Sequence, residues 1–229
     1  RSRKTIVCWA MGLTQHKNGV GNVREIVNFL LMRGSIGMPG AGTCPVRGHS
    51  NVQGDRTMGI YDRPSKAFLD RIQEVFGFDP PRQHGFNTVE AIQAMLDGRA
   101  KLFFAMGGNF LQATPYTQRT ATALQSCEML VHVSTKLNRG HLLQNEWSII
   151  LPCLARSEID EQAYGPQFVT VENSMGVVHS SEGHMKPAHE GLYSEPAIVA
   201  WLAERVLGPD NPVSWCWLIE NYDRIRDLI

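Results

Sequence analysis

The sequence lacks the marks of several protein classes. Its 22 basic and 22 acidic side chains cancel, so the basic excess that draws a protein onto nucleic acid is missing. That balance, with 43% hydrophobic residues, is also far from the composition of a disordered chain. No stretch approaches the ~18 apolar residues of a membrane-spanning helix, and the N-terminus has no apolar signal-peptide core. Cysteines are few: Cys8, Cys44, Cys127, Cys153 and Cys216 make an odd count with no C-x-x-C pair. A disulfide framework or cysteine metal cage is therefore not expected, and a reducing compartment, the cytoplasm, is. Also missing are G-x-S-x-G, G-x-x-x-x-G-K-[ST], H-E-x-x-H and G-x-G-x-x-G. Hydrolase, kinase and nicotinamide-dehydrogenase readings lose support accordingly.

What remains is a chain of 229 residues, long enough to bury roughly 70% of its unfolded surface. A β-prone run over 5–11 empties into a polar loop, and Asn22 caps a helix with Val23, Ile26, Val27, Leu30 and Leu31 at helical spacing, stopped by Gly34. Residues 34–59 hold too many glycines and prolines for a regular element, and such loops are usually functional or disordered. Helices follow over 65–76, from a Thr88 cap to Gly98, and over 117–125. Strands are expected at 101–106, 129–133 and 147–151, the first apolar enough to be buried on both faces. Beyond 165 come β-prone pieces at 168–171 and 176–178, a Gly/His/Pro loop, a helix over 195–207 and another from Pro212 to the end. Alternating strands and helices predict an α/β fold, a three-layer αβα arrangement with a mainly parallel sheet. The expected organisation is a strand-helix unit with a glycine-rich loop (1–60), an α/β domain (61–164), and a β-prone segment with closing helices (165–229).

Three segments carry candidate chemistry. Within residues 38–55, Arg47, His49, Asn51, Gln53 and Asp55 alternate, so an extended chain gathers them on one face, and an arginine beside neutral amides suits an anion. The same pattern also fits a solvated loop. Gly107-Gly108-Asn109 follows a strand, where ligands of open parallel sheets bind, although an ordinary turn has the same composition. Ser134, Thr135, Lys136, Asn138 and Arg139 offer hydroxyl, amide and cationic groups at the adjacent edge. His179, His184 and His189 recur every five residues, but Gly183, Pro187 and Gly191 oppose a helix that would align them, so they read as loop histidines and no metal ligand is assigned. Cys8 and Cys127, in apolar surroundings, read as core residues.

Several blocks in order, Trp9-Ala10-Met11-Gly12-Leu13-Thr14-Gln15-His16, Asn22-Val23-Arg24, Gly34 to Gly42, Pro45 to Gly54, Phe104 to Asn109 and Ile150 to Asp160, closely resemble the formate-dehydrogenase-like branch of the DMSO reductase superfamily. The resemblance covers most of the chain. It implies a molybdenum cofactor held by two molybdopterin guanine dinucleotides. Arg47 matches the arginine that holds a substrate carboxylate beside the metal, and His49 stands where formate dehydrogenases of this type tend to have Gln, which weakens formate as the substrate. Met11 and Gln15 match positions near the metal-proximal pterin. Gly107, Gly108, Asn109, Ser134, Thr135, Asn138 and Arg139 match the edge holding one guanine dinucleotide, and Asp160, closing the last block, is counted with them as cofactor-binding.

The resemblance also implies a 4Fe-4S cluster, a metal-ligating residue and a C-terminal β-rich domain, none with a counterpart here. The chain is thus expected to be the middle fragment of a catalytic subunit, inactive alone, acting in the full protein on formate or another small anion with an unassigned electron-transfer partner. The rival reading is a non-catalytic nucleotide-binding or regulatory module.

Overall fold

The computed structural model describes residues 2–46, 52–173 and 176–228. The chain divides into two compact units, residues 1–55 with 171–179, and residues 56–170 with 180–229. Both are mixed α/β and contain parallel strands.

In the first unit β1 (Ile6–Trp9) leads through α1 (Met11–Thr14) into α2 (Gly19–Met32), and the chain returns as β2 (Gly42–Pro45), parallel to β1. A parallel pair needs such a crossover, which the helix supplies. Helix α2 begins earlier than its pattern predicts: Asn18 is the N-cap, and Asn22 lies inside with its N–H on Asn18 O at 3.0 Å. The chain folds so tightly there that a Cβ on Gly19 would sit 2.7 Å from Thr14 O. Gly34, at φ +64°, ends the helix as expected.

Residues 34–59 are not devoid of regular structure, because they contain β2 and α3 (Val52–Thr57). The edge of β1 supplies the backbone partners: Gly42 N–H donates to Thr5 O at 3.0 Å and Val46 N–H to Trp9 O at 2.7 Å. Ile6 and Cys8 are exposed rather than buried, since this sheet has only two strands. Arg47 and His49, with the rest of 47–51, lie outside the described residues.

The second unit opens with α4 (Lys66–Phe76) and α5 (Thr88–Leu96). Ser65 Oγ caps α4 by accepting the Phe68 N–H. Asn87, rather than Thr88, caps α5: its Oδ1 accepts the Glu90 N–H at 3.0 Å while the Glu90 carboxylate accepts the Asn87 N–H at 3.1 Å. Then come β3 (Leu102–Met106), α6 (Phe110–Ala113), α7 (Thr117–Gln125), β4 (Met129–Ser134), a 3-10 turn (Arg139–Leu142) and β5 (Trp147–Pro152). The strands form one parallel sheet in the order β3-β4-β5.

Ile92 and Met95 of α5 and Ala123 and Leu124 of α7 pack against Leu111, Cys127 and Leu130. A fully buried side chain such as Leu124 or Leu130 contributes about 1.5–3 kcal/mol. Burial on both faces was expected for β3, but Leu102 is 54% exposed and Phe103 and Phe104 are half-buried. The reason is position: β3 has one strand neighbour, as does β5, whose Ile149 and Ile150 are also exposed. Only β4, between them, buries Leu130, Val131 and Val133.

Beyond β5 lie the antiparallel pair β6 (Asp160–Gln162) and β7 (Gly165–Gln167), the paired β8 (Val169–Glu172) and β9 (Val178–Ser181), and α8 (Glu195–Leu207), which matches its expected range. The single closing helix predicted from Pro212 is instead two, α9 (Trp215–Glu220) and α10 (Asp223–Arg226). Asn221 is extended between them, and the Tyr222 N–H donates to Gln167 Oε1 at 2.7 Å. This tertiary bond takes the place of helix continuity, and Tyr222 joins Ala197, Ala200 and Ile219 in a second core. Among the described residues no helix is long and apolar enough to cross a membrane.

Candidate functional site

Parallel strands end on the same side of a sheet, and β3, β4 and β5 end at a cleft of about 490 Å³. The turn after β3 supplies Gly107 and Gly108, the turn after β4 supplies Ser134 to Asn138, and the turn after β5 supplies Cys153 to Arg156. Glu195, the first residue of α8, closes the remaining side. The volume falls within the range of small-molecule sites.

Backbone geometry keeps the first wall bare. Gly107 and Gly108 have φ of +68° and +71°, the left-handed region that glycine enters without strain. The Gly107 N–H donates to Val133 O at 2.8 Å, continuing the ladder beyond β3. A Cβ on Gly108 would meet nothing within 4 Å, so any side chain there would project into open space.

Asn138 fixes the second wall. Its Oδ1 accepts the Gly140 N–H at 2.8 Å, its own N–H donates to His141 Nδ1 at 3.0 Å, and its Nδ2 donates to Gly108 O at 3.0 Å. Behind this turn the His132 and His141 rings lie tilted by 36° with centroids 4.6 Å apart, and burial, then the charge of His141, pushes the His132 pKa below the usual histidine range.

Glu158 braces the third wall, accepting the Ala155 N–H at 2.7 Å and the Ala188 N–H at 2.6 Å. The Arg156 guanidinium donates to Ser181 Oγ at 2.8 Å. Burial, then the carboxylates of Glu195 and Glu158, pushes the Cys153 thiol up to about 11. Two cations, Lys136 and Arg156, thus share the cleft with one carboxylate, Glu195, and with hydroxyls, an amide and bare backbone, and the donors outweigh the single acidic group in a way suited to a phosphate-bearing ligand.

Of the residues expected to act, Gly107, Gly108, Ser134, Thr135 and Asn138 meet at this cleft. Asn109 precedes α6 without a side-chain capping bond, its Nδ2 donating to Gln112 Oε1 at 2.7 Å and its Oδ1 buried without a protein partner among the described residues. Arg139 begins the 3-10 turn without lining the cleft. Asp160 opens β6, also outside the lining, and accepts from Gln162 Nε2 at 2.6 Å and from the Tyr222 hydroxyl. Met11 and Gln15 are exposed in the first unit, where Gln15 Nε2 approaches Met11 Sδ at 3.9 Å.

His179 contacts Asn173 Nδ2, and His189 Nδ1 accepts the Gly191 N–H. Among the described residues no group of three or more His, Cys, Asp or Glu side chains is arranged to hold a metal ion. Cys153, Arg156 and Glu195 were not expected in the cleft. The strand-end rule that singled out β3 and β4 applies equally to β5 and identifies the first two. Glu195 carries no comparable signal, because it arrives from a helix far along the chain.

Residues 1–185 match the family described as Molybdopterin oxidoreductase. Over 228 residues the chain is 51% identical to the Mycobacterium tuberculosis protein named Uncharacterized oxidoreductase Rv2900c, an alignment covering 100% of this chain and 29% of that protein. It is also 51% identical over 228 residues to Protein YdeP of Escherichia coli K12, covering 100% of this chain and 30% of that one. The chain therefore spans less than a third of the length of these relatives.

Proposed function

The chain belongs to the molybdopterin oxidoreductase family, whose cofactor is a molybdenum-bound pterin, and from that premise we propose that the cleft at the ends of β3, β4 and β5 holds a guanine dinucleotide portion of that cofactor. The convergence of three strand ends, bearing Gly107, Gly108, Ser134, Thr135 and Asn138, carries this reading. The group fits the residues present. Bare backbone at Gly107 and Gly108 admits close approach, Lys136 and Arg156 offset phosphate charge, and the buried Asn109 Oδ1 has an unused acceptor beside the same turn.

When bound, the molybdenum-pterin group supplies two-electron redox chemistry. The chain's own residues bind and orient. Asn138 sets the Gly108 carbonyl, leaving the Gly108 N–H to face a phosphate while the Gly107 N–H stays in the strand ladder, and Glu158 holds Arg156 at the opposite wall through the Ala155 turn. Met11 and Gln15 are assigned to the metal side of the pterin and Asp160 to its support. Arg47, with His49 beside it, is assigned to the substrate, where a guanidinium grips a small carboxylate such as formate through two parallel hydrogen bonds. A 4Fe-4S cluster in the longer protein completes this oxidoreductase reading.

Composition analysis of the purified full-length protein is the test. Molybdenum accompanied by guanine nucleotide after acid hydrolysis is expected, and metal-loaded protein that releases no guanine nucleotide contradicts the proposal.

A further inference from the structure

The first unit brings two cysteines together. Cys8 in β1 and Cys44 in β2 are direct partners in the parallel register, both are free thiols, and both are exposed. Directly paired residues of neighbouring strands project on the same side of the sheet. Strands in a sheet lie about 4.7–4.9 Å apart, inside the roughly 4.4–6.8 Å Cα separation that a disulfide spans. The other three cysteines are placed differently: Cys127 and Cys153 are buried and Cys216 is half-buried on α9.

We propose that Cys8 and Cys44 form a reversible thiol–disulfide pair, a redox-modification site that joins β1 to β2 when the protein meets a small-molecule disulfide such as oxidised glutathione. In the first exchange the Cys44 thiolate attacks one sulfur of the oxidant. The oxidant's S–S bond breaks, one glutathione leaves as a thiolate and takes up a proton, and a mixed disulfide remains on Cys44. In the second, Cys8 loses its proton and its sulfur attacks the Cys44 sulfur, forming the Cys8–Cys44 bond and expelling the second glutathione, which takes up that proton. Two protein thiols are oxidised and one glutathione disulfide is reduced to two thiols, so electrons and protons balance.

A hydrogen bond with Cys44, then burial and the Cys44 charge, holds the Cys8 thiol above its ordinary range. The bond would form one residue before the last paired step, Trp9 with Pro45, where the Val46 N–H already donates to Trp9 O. It therefore fastens the strand ends beside α1 and Val46.

The test exposes the full-length protein to oxidised glutathione under native conditions, blocks remaining thiols and maps peptides by mass spectrometry. The expected product is a crosslink between the peptides containing Cys8 and Cys44, two hydrogens lighter than the reduced pair and reversed by dithiothreitol. In Cys8→Ser the second exchange has no attacking sulfur, so glutathione should remain on Cys44. Separate glutathione adducts on both wild-type sulfurs, linkage of either to a different cysteine, or no reaction at either one would overturn the proposal. The wild-type map decides this even where a variant fails to fold.

Discussion

Asn138 Nδ2 donates to the Gly108 carbonyl at 3.0 Å, and this bond ties the turn after β4 to the turn after β3. The same side chain caps the Gly140 N–H. Asn138→Ala removes both interactions and is expected to cost about 1–2 kcal/mol of stability. Asn138→Asp retains the accepting oxygen and loses only the donor to Gly108, so its loss should be smaller. Urea denaturation of the two variants beside wild type checks the order. Equal stability of Asn138→Ala and wild type would mean the tie contributes nothing.

The Cys153 thiol is raised from 9.0 to about 11, first by burial and then by Glu195 and Glu158. A native pKa above the unfolded one means that the neutral thiol's contribution to stability is complete below pH 9 and is lost as pH rises through 11. Alkylation of Cys153, followed by peptide mapping across this range, should rise with a midpoint near 11, and Glu195→Gln should move it downward. A midpoint at or below 9.0 would contradict the buried, carboxylate-flanked placement.

Tyr222 places its hydroxyl between Ser194 Oγ and the Asp160 carboxylate. Burial, then the bond to Asp160, pushes its pKa well above the ordinary tyrosine value. The native state holds this proton after the unfolded chain has released it. Stability is therefore full below about pH 10 and falls as pH rises beyond. Tyr222→Phe should cost about 1–3 kcal/mol at neutral pH and flatten the alkaline decline. Thermal unfolding between neutral and strongly alkaline pH measures both effects.

The sequence makes legible the elements whose pattern is local. The spacing in α4, α7 and α8 and the apolar runs of β3, β4 and β5 identify those elements, because side-chain periodicity follows backbone geometry. It does not make legible what distant parts decide. Residues 42–45 look like a glycine-rich loop until β1 offers them a ladder, and Tyr222 breaks a helix because Gln167 waits for its N–H. The exposure of Leu102 likewise depends on how many strands flank β3, which its own apolar character cannot report. In the site, the glycine and amide edges were legible from strand ends, whereas Glu195 was not, because only the fold brings α8 to the cleft.

On the proposed reading Arg47 meets a small anionic substrate, so that Arg47→Lys keeps the charge and removes the two-pronged grip. Turnover is expected to fall about a hundredfold or more, a cost of roughly 3 kcal/mol, with molybdenum content and melting temperature nearly unchanged. Wild-type turnover, or a loss that merely tracks lost metal, would end the assignment.

Whether the β3-β4-β5 cleft holds a guanine dinucleotide is read from the guanine nucleotide released per molybdenum by Gly108→Leu in the full-length protein. Gly108 lines the cleft, and a leucine there adds a bulky side chain in open space at the cleft wall, from a backbone at φ +71°. The folded variant, verified by its melting transition, is expected to retain clearly less guanine nucleotide than wild type. An undiminished nucleotide content in a folded Gly108→Leu protein would contradict it.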